Sequence, residues 1–129
     1  MMKRLGIGFG SAFLFGGILG FVPGVVKDDM YFGIFMVNPA HNALHILSGS
    51  MFLIAAISGD RATRSWFQIF GLFYGVLAAL GFLIGDGMIL GLISNNRMDA
   101  GGHTLLALAM LLIGFAKPKQ TPAAPGSGQ

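Results

Sequence analysis

Four stretches of the chain are apolar for long enough to span a bilayer core as helix, which takes roughly 17 to 25 mostly apolar residues. They cover about Leu5–Val25, Pro39–Ser58, Ser65–Ile84 and Met98–Ala116, with polar residues gathered in the breaks between them. Only the first has another natural reading, because Lys3 and Arg4 ahead of an apolar run resemble a signal peptide. Its end, GFVPG, lacks a small-x-small cleavage site, so the segment is read as a helix. Two further apolar stretches, YFGIFMV at 31–37 and MILGLI at 88–93, are too short to span. They are expected to lie in the membrane interface or to pack over the helices.

The pattern also repeats. LGFVPG at 19–24 matches LGFLIG at 80–85, and GIFMVNPAHNALH at 33–45 matches GLISNNRMDAGGH at 91–103. Two tandem units follow, about 5–58 and 65–116, each a span, a loop and a second span. Units with two spans share an orientation and relate by an axis along the membrane normal. The expected fold is therefore all-α, a four-helix transmembrane bundle of two helical hairpins. Glycine ladders at Gly6/Gly10, Gly16/Gly20/Gly24 and Gly71/Gly75 would let spans one and three pack closely.

Composition agrees. Of 129 residues 54% are hydrophobic and only 10% charged, against about a quarter charged in soluble domains. No cysteine is present, which excludes disulfides, thiol redox chemistry and thiolate metal sites. The basic residues are scattered in pairs between apolar runs, which argues against a nucleic-acid surface. Lys3, Arg4, Arg61, Arg64, Lys117 and Lys119 fall at the termini and the middle connection, and only Lys27 and Arg97 in the other two loops. That bias predicts a multi-pass protein of the plasma (inner) membrane with both termini cytoplasmic, and Trp66 as an interfacial anchor. The Pro/Gly/Ser-rich tail, 118–129, reads as a disordered cytoplasmic segment.

The candidate chemistry is N-x-x-[HD]-x-x-x-H, written twice. Asn38 pairs with Asn96, His41 with Asp99, and His45 with His103. Asn38 before Pro39 is a strong helix start, and Asn96 or Asn95 can start the fourth span. Residues four apart share a helix face, so His41 with His45, and Asp99 with His103, each make one polar patch.

On GFVPG at 20–24, GIFMVNPAHNALH at 33–45, Gly49 and the Asn96–His103 element, the chain resembles a family of small four-helix bacterial membrane proteins classed as a domain of unknown function. The resemblance spans about Leu5–Ala116 and implies four spans and membrane residence, with no reaction attached. This chain departs from the family pattern at Gly102, where a large apolar residue usually precedes the second histidine; the change leaves room beside His103.

Several readings of the patch stay open. His41, His45, Asp99 and His103 would form a first shell for a divalent transition metal. His45 and His103, at matched depths, would bind haem or chlorophyll, with Gly49 and Gly102 making space. Proton transfer lacks stations beyond Ser11, Gln68 and Tyr74, and catalysis lacks any glutamate or a group to orient Ser48 or Ser50. In the plainest reading Asn38 and Asn96 cap their helices while His45 and His103 hydrogen-bond Asn42, Asp99 or backbone carbonyls of the other unit. The resulting expectation is a non-enzymatic scaffold or accessory subunit, with lipid and other membrane subunits or itself as partners. A metal- or tetrapyrrole-binding bundle is the alternative.

Overall fold

The computed structural model describes residues 1–117, and the expected disordered tail at 118–129 lies outside them. Four helices, α1 (Met2–Leu19), α2 (Pro39–Ser58), α3 (Asp60–Ile84) and α4 (Arg97–Phe115), carry the chain. α2, α3 and α4 are each long and apolar enough to cross a membrane. α1 has 18 residues, about 27 Å at 1.5 Å per residue, with Lys3 and Arg4 in its first turn. Large apolar side chains point outward all round, among them Ile57 (82% exposed), Leu83 (83%) and Leu112 (74%). A soluble domain would not leave such a belt in water. This is an all-α membrane protein whose outer surface contacts lipid.

The first helix ends earlier than the apolar run suggests, at Leu19 instead of near Val25. Pro23 is the reason. It has no N–H to return to the Leu19 carbonyl, which Val22 N takes at 3.0 Å in a tighter turn. α3, with Ile84 where α1's sequence has Pro23, runs on to Ile84 and stops at Gly85. At its other end α3 begins at Asp60, five residues before the expected Ser65, because one residue, Gly59 with φ of 125°, suffices to turn from α2.

The two apolar loop stretches are β-hairpins. Strands β1 (Val26–Lys27), β2 (Met30–Tyr31) and β3 (Phe35–Met36) form one antiparallel sheet, and β4 (Gly87–Ile89) and β5 (Ile93–Asn95) another. Their tips, Phe32-Gly33 and Leu90-Gly91, have positive φ at both residues, as a tight hairpin turn requires. β3 and β5 lie near each other, joined by Ser94 Oγ donating to Met36 O at 3.2 Å.

α1 packs along α2, α3 along α4, and α2 on α3. An aromatic core of Phe9, Phe52, Phe67 and Phe70 fills the middle, with Phe52 and Phe67 fully buried and 4.9 Å apart. The glycines separate into two classes. A Cβ on Gly10 or Gly49 would meet the other's carbonyl at 2.9 and 2.6 Å, and one on Gly71 would meet Leu111 at 2.8 Å. Gly6, Gly17 and Gly20 are equally tight. Gly16 and Gly24, expected to extend the packing ladder, have nothing within 4 Å, and Gly75 only Ala107 at 3.9 Å. At the end holding the chain terminus, Arg64 Nη1 and Gln68 Nε2 donate to the last carbonyls of α4, at 2.6 Å to Ala116 and 2.8 Å to Gly114. They supply the caps that the end of α4 lacks.

Candidate metal centre

The site is built where α2 and α4 begin, beneath the hairpins. Asn38 caps α2 by accepting from His41 N at 2.8 Å, and Asn96 caps α4 by accepting from Asp99 N at 2.8 Å. Each cap also reaches across to the other hairpin: Asn38 Nδ2 donates to Leu92 O at 2.8 Å, and Asn96 Nδ2 to Ile34 O at 3.0 Å. Of the two candidates for starting α4, Asn96 does so. Asn95 instead donates to Gly81 O and Gly85 O, satisfying the end of α3.

The caps fix the first turns and so aim the histidines. His41 Nδ1 lies 2.9 Å from Ser94 O. A carbonyl only accepts, so Nδ1 carries the proton and neutral His41 presents a lone pair at Nε2. One turn on, His45 Nε2 sits 3.2 Å from that atom and donates to it. His103 comes in from α4, with ring centroids 5.5 Å from His41 and 6.0 Å from His45. One ligand nitrogen from each of the three lies within 4.8 Å of the other two. Below them, Phe13 stacks on His45 at 5.4 Å and Tyr74 meets His103 edge-on at 5.4 Å.

Asp99 does not join this group among the described residues. Its Oδ2 accepts from Asn96 N at 2.9 Å, completing a capping box, and from Met36 N at 3.0 Å, tying β3 to α4. Among the described residues neither His45 nor His103 makes a bond that the plainest reading gives it; it is His41 that bonds a carbonyl of the other hairpin. His45 bonds His41 rather than Asn42, whose Nδ2 goes to Gly20 O at 2.9 Å. His103 is 3% exposed and its Nδ1 is buried without a partner. An unpaired buried polar group is costly, so a purely structural role leaves this atom unexplained. Ser48 bonds the Tyr74 hydroxyl at 2.9 Å and Ser50 its own helix at Ile46 O, so neither hydroxyl turns to the histidines.

Between α1 and α4 a cavity of about 780 Å³ opens beside the cluster, reached by His41, His45, Asp99 and His103. Gly102 lines it, so the room anticipated beside His103 is present. Tyr31 of β2 lines it too, and burial pushes its pKa above the usual value. Ser94, Tyr74 and Phe13 belong to the site and were not singled out with it in the sequence. Tyr74 and Phe13 both stand three residues C-terminal to a tightly packed glycine, Gly71 and Gly10, which is the one signal that could have found them.

A family model, Domain of unknown function (DUF4383), matches residues 3–116. The chain belongs to this family. Membership in DUF4383 carries no activity with it, so the reading of the site rests on its geometry. Comparison with curated proteins and with solved structures finds no match.

Proposed function

We propose that this DUF4383 protein binds a divalent first-row transition metal, zinc among them, through His41, His45 and His103. The observation that carries the reading is the convergence of three imidazoles from two helices within 4.8 Å. Two imidazoles on one tetrahedral zinc, with Zn–N of 2.0–2.1 Å, stand about 3.3 Å apart. His41 and His45 already stand at 3.2 Å. The Ser94 carbonyl on His41 Nδ1 is the outer contact that orients a metal-bound imidazole. Loading moves the His45 proton from Nε2 to Nδ1 and draws His103, within 4.8 Å of the other two, to the about 3.3 Å that zinc requires. A macrocycle between His45 and His103 would collide with the His41 ring, whose centroid is 5.0 and 5.5 Å from theirs; this favours a single ion over haem or chlorophyll. A non-enzymatic role is supported by the commitment of Ser48 and Ser50 elsewhere.

The protein also reads as two tandem hairpin repeats. Residues at the same offset of 58 make reciprocal bonds: Asn38 to Leu92 answers Asn96 to Ile34, and His41 to Ser94 answers Asp99 to Met36. Residence in the plasma (inner) membrane with cytoplasmic termini is supported by Lys3, Arg4, Arg61, Arg64 and Lys117 at one end. A second role, as scaffold or accessory subunit, rests on the hairpin tips, where Phe32 is 64% and Leu90 78% exposed.

The test is elemental analysis of the detergent-purified protein. A stoichiometric transition metal, lost in His45→Ala and His103→Ala but kept in Asp99→Asn, is expected. Metal that survives His103→Ala, or no metal after incubation with zinc, refutes the site.

A further inference from the structure

We propose that the cavity between α1 and α4 is a binding groove for a neutral membrane lipid of the isoprenoid quinone type. Its hydrogen-bonding head would sit at His103 and its tail along α1. The inference goes beyond the metal reading and does not depend on it.

The groove has a length, a direction and a built end. On α1 it runs from Gly16 to Arg4, twelve residues, or about 18 Å. Its volume of about 780 Å³ is that of a small-molecule site, in which a few polar groups converge at one place in an apolar lining. Here the convergence is at the Gly16 end, where His41, His45 and His103 meet with Asp99 also in the lining, and Phe9, Ala12, Leu105 and Leu106 line the rest. Gly8, Ala12 and Leu105 are exposed, so entry is sideways from the bilayer.

Two observations show that the space is kept open. Gly6, Gly10, Gly17 and Gly20 are tight against α2 or α3, but a Cβ on Gly8 or Gly16 would meet nothing within 4 Å. Close helix packing does not explain these two glycines; both line the groove. His103 also lines it, 3% exposed, with Nδ1 buried and unpartnered. Nδ1 is sealed from the groove as the ring stands, so a ligand's carbonyl oxygen would meet its N–H after the imidazole turns.

The head must be neutral. The one cation lining the groove among the described residues is Arg4, at the far end. A phospholipid with its phosphate on Arg4 would lay its acyl chains against the imidazoles, a mismatch of polarity. A quinone places a hydrogen-bond acceptor at the histidines and hydrocarbon along Phe9 and Leu5.

The test is equilibrium binding of a decyl-chain benzoquinone to the protein in phosphatidylcholine nanodiscs, with helicity and metal content measured on the same samples. Saturable binding of one quinone per chain is expected, weakened at least tenfold by Gly16→Phe and by Gly8→Leu. Helicity and metal stay unchanged in both, because their side chains enter empty space. Leu83→Phe, outside the groove and 83% exposed, binds as the parent does. His103→Ala weakens binding at least fivefold. Binding that is non-saturable, or equal in Gly16→Phe, overturns the proposal. So does displacement of the quinone by phosphatidylglycerol that disappears in Arg4→Gln, which would assign the groove to a phospholipid. Loss of metal in the histidine variants with no quinone binding anywhere leaves the metal site standing and sinks this one alone.

Discussion

Replacing Gly49 and Gly16 by alanine, one at a time, isolates what close helix approach contributes. Both lie within helices, so both gain the same intrinsic helix preference of alanine over glycine, about 1 kcal/mol. They differ in surroundings. A Cβ on Gly49 would lie 2.6 Å from Gly10 O and Leu14 N and 3.0 Å from Leu14 Cα, all of it backbone that no rotamer change can clear. Ordinary contact begins near 3.4 Å, so α1 and α2 must part by about 0.8 Å locally. Overpacking of this kind costs about 1–3 kcal/mol. A Cβ on Gly16 meets nothing. The propensity gain cancels in the comparison, leaving Gly49→Ala less stable than Gly16→Ala by about 1–3 kcal/mol. The assay is reversible unfolding in mixed micelles as the denaturing detergent fraction rises, followed by circular dichroism. Stabilities agreeing within about 0.5 kcal/mol would refute the reasoning, since distant sites add only to about that accuracy.

Three further outcomes follow from the same structure. A double-mutant cycle on Ser48→Ala and Tyr74→Phe should give a coupling of about 0.6 to 1.7 kcal/mol for their buried hydrogen bond, read by the same unfolding assay; no coupling would mean the hydroxyls are not paired in the membrane. Metal affinity should fall on acidification, by up to about tenfold per pH unit for each proton that competes for an imidazole; affinity independent of pH below neutrality would exclude histidine ligands. Because the chain has no cysteine, Ala62→Cys and Asp86→Cys report orientation cleanly. An impermeant maleimide should label Asp86→Cys in intact cells and Ala62→Cys only after permeabilisation, and the reverse pattern would invert the topology.

The helices were legible because each needs only a long apolar run, and α2 starts at Pro39, where Asn38 and Pro39 together announce it. The end of α1 turned on one residue, Pro23, inside a run that is otherwise apolar to Val25. The hairpins were hidden for a different reason. Strands of two or three residues are too short to show an alternation, and their turns use Phe-Gly and Leu-Gly in place of the usual Asn-Gly. Within the site, the four-residue spacing of His41 and His45 put them on one face as read. Asp99 carried two meanings, ligand or capping-box partner, and three residues after Asn96 the second was equally readable. That the histidines of two helices meet depends on packing between hairpins, which no local pattern encodes.

The open groove has a covalent explanation once the two hairpins are taken as repeats. An exchange of α1 with α3 and of α2 with α4 would map the α2–α3 seam onto the seam between α4 and α1. The first is closed, with α2 and α3 in contact and a single residue, Gly59, between them. Its end is secured further, since Thr63 Oγ1 donates to Ala55 O at 3.2 Å and to Gly59 O at 2.8 Å. The second seam lies between elements that are not consecutive, since β1 follows α1 and β5 precedes α4. There the symmetry breaks. Gly8 and Gly16 face the gap, and the histidine cluster, bonded across the hairpins at its loop end, forms the closed end of the cleft. Taken as repeats, the hairpins are held along one seam by the Gly59 linker, and the groove lies along the other.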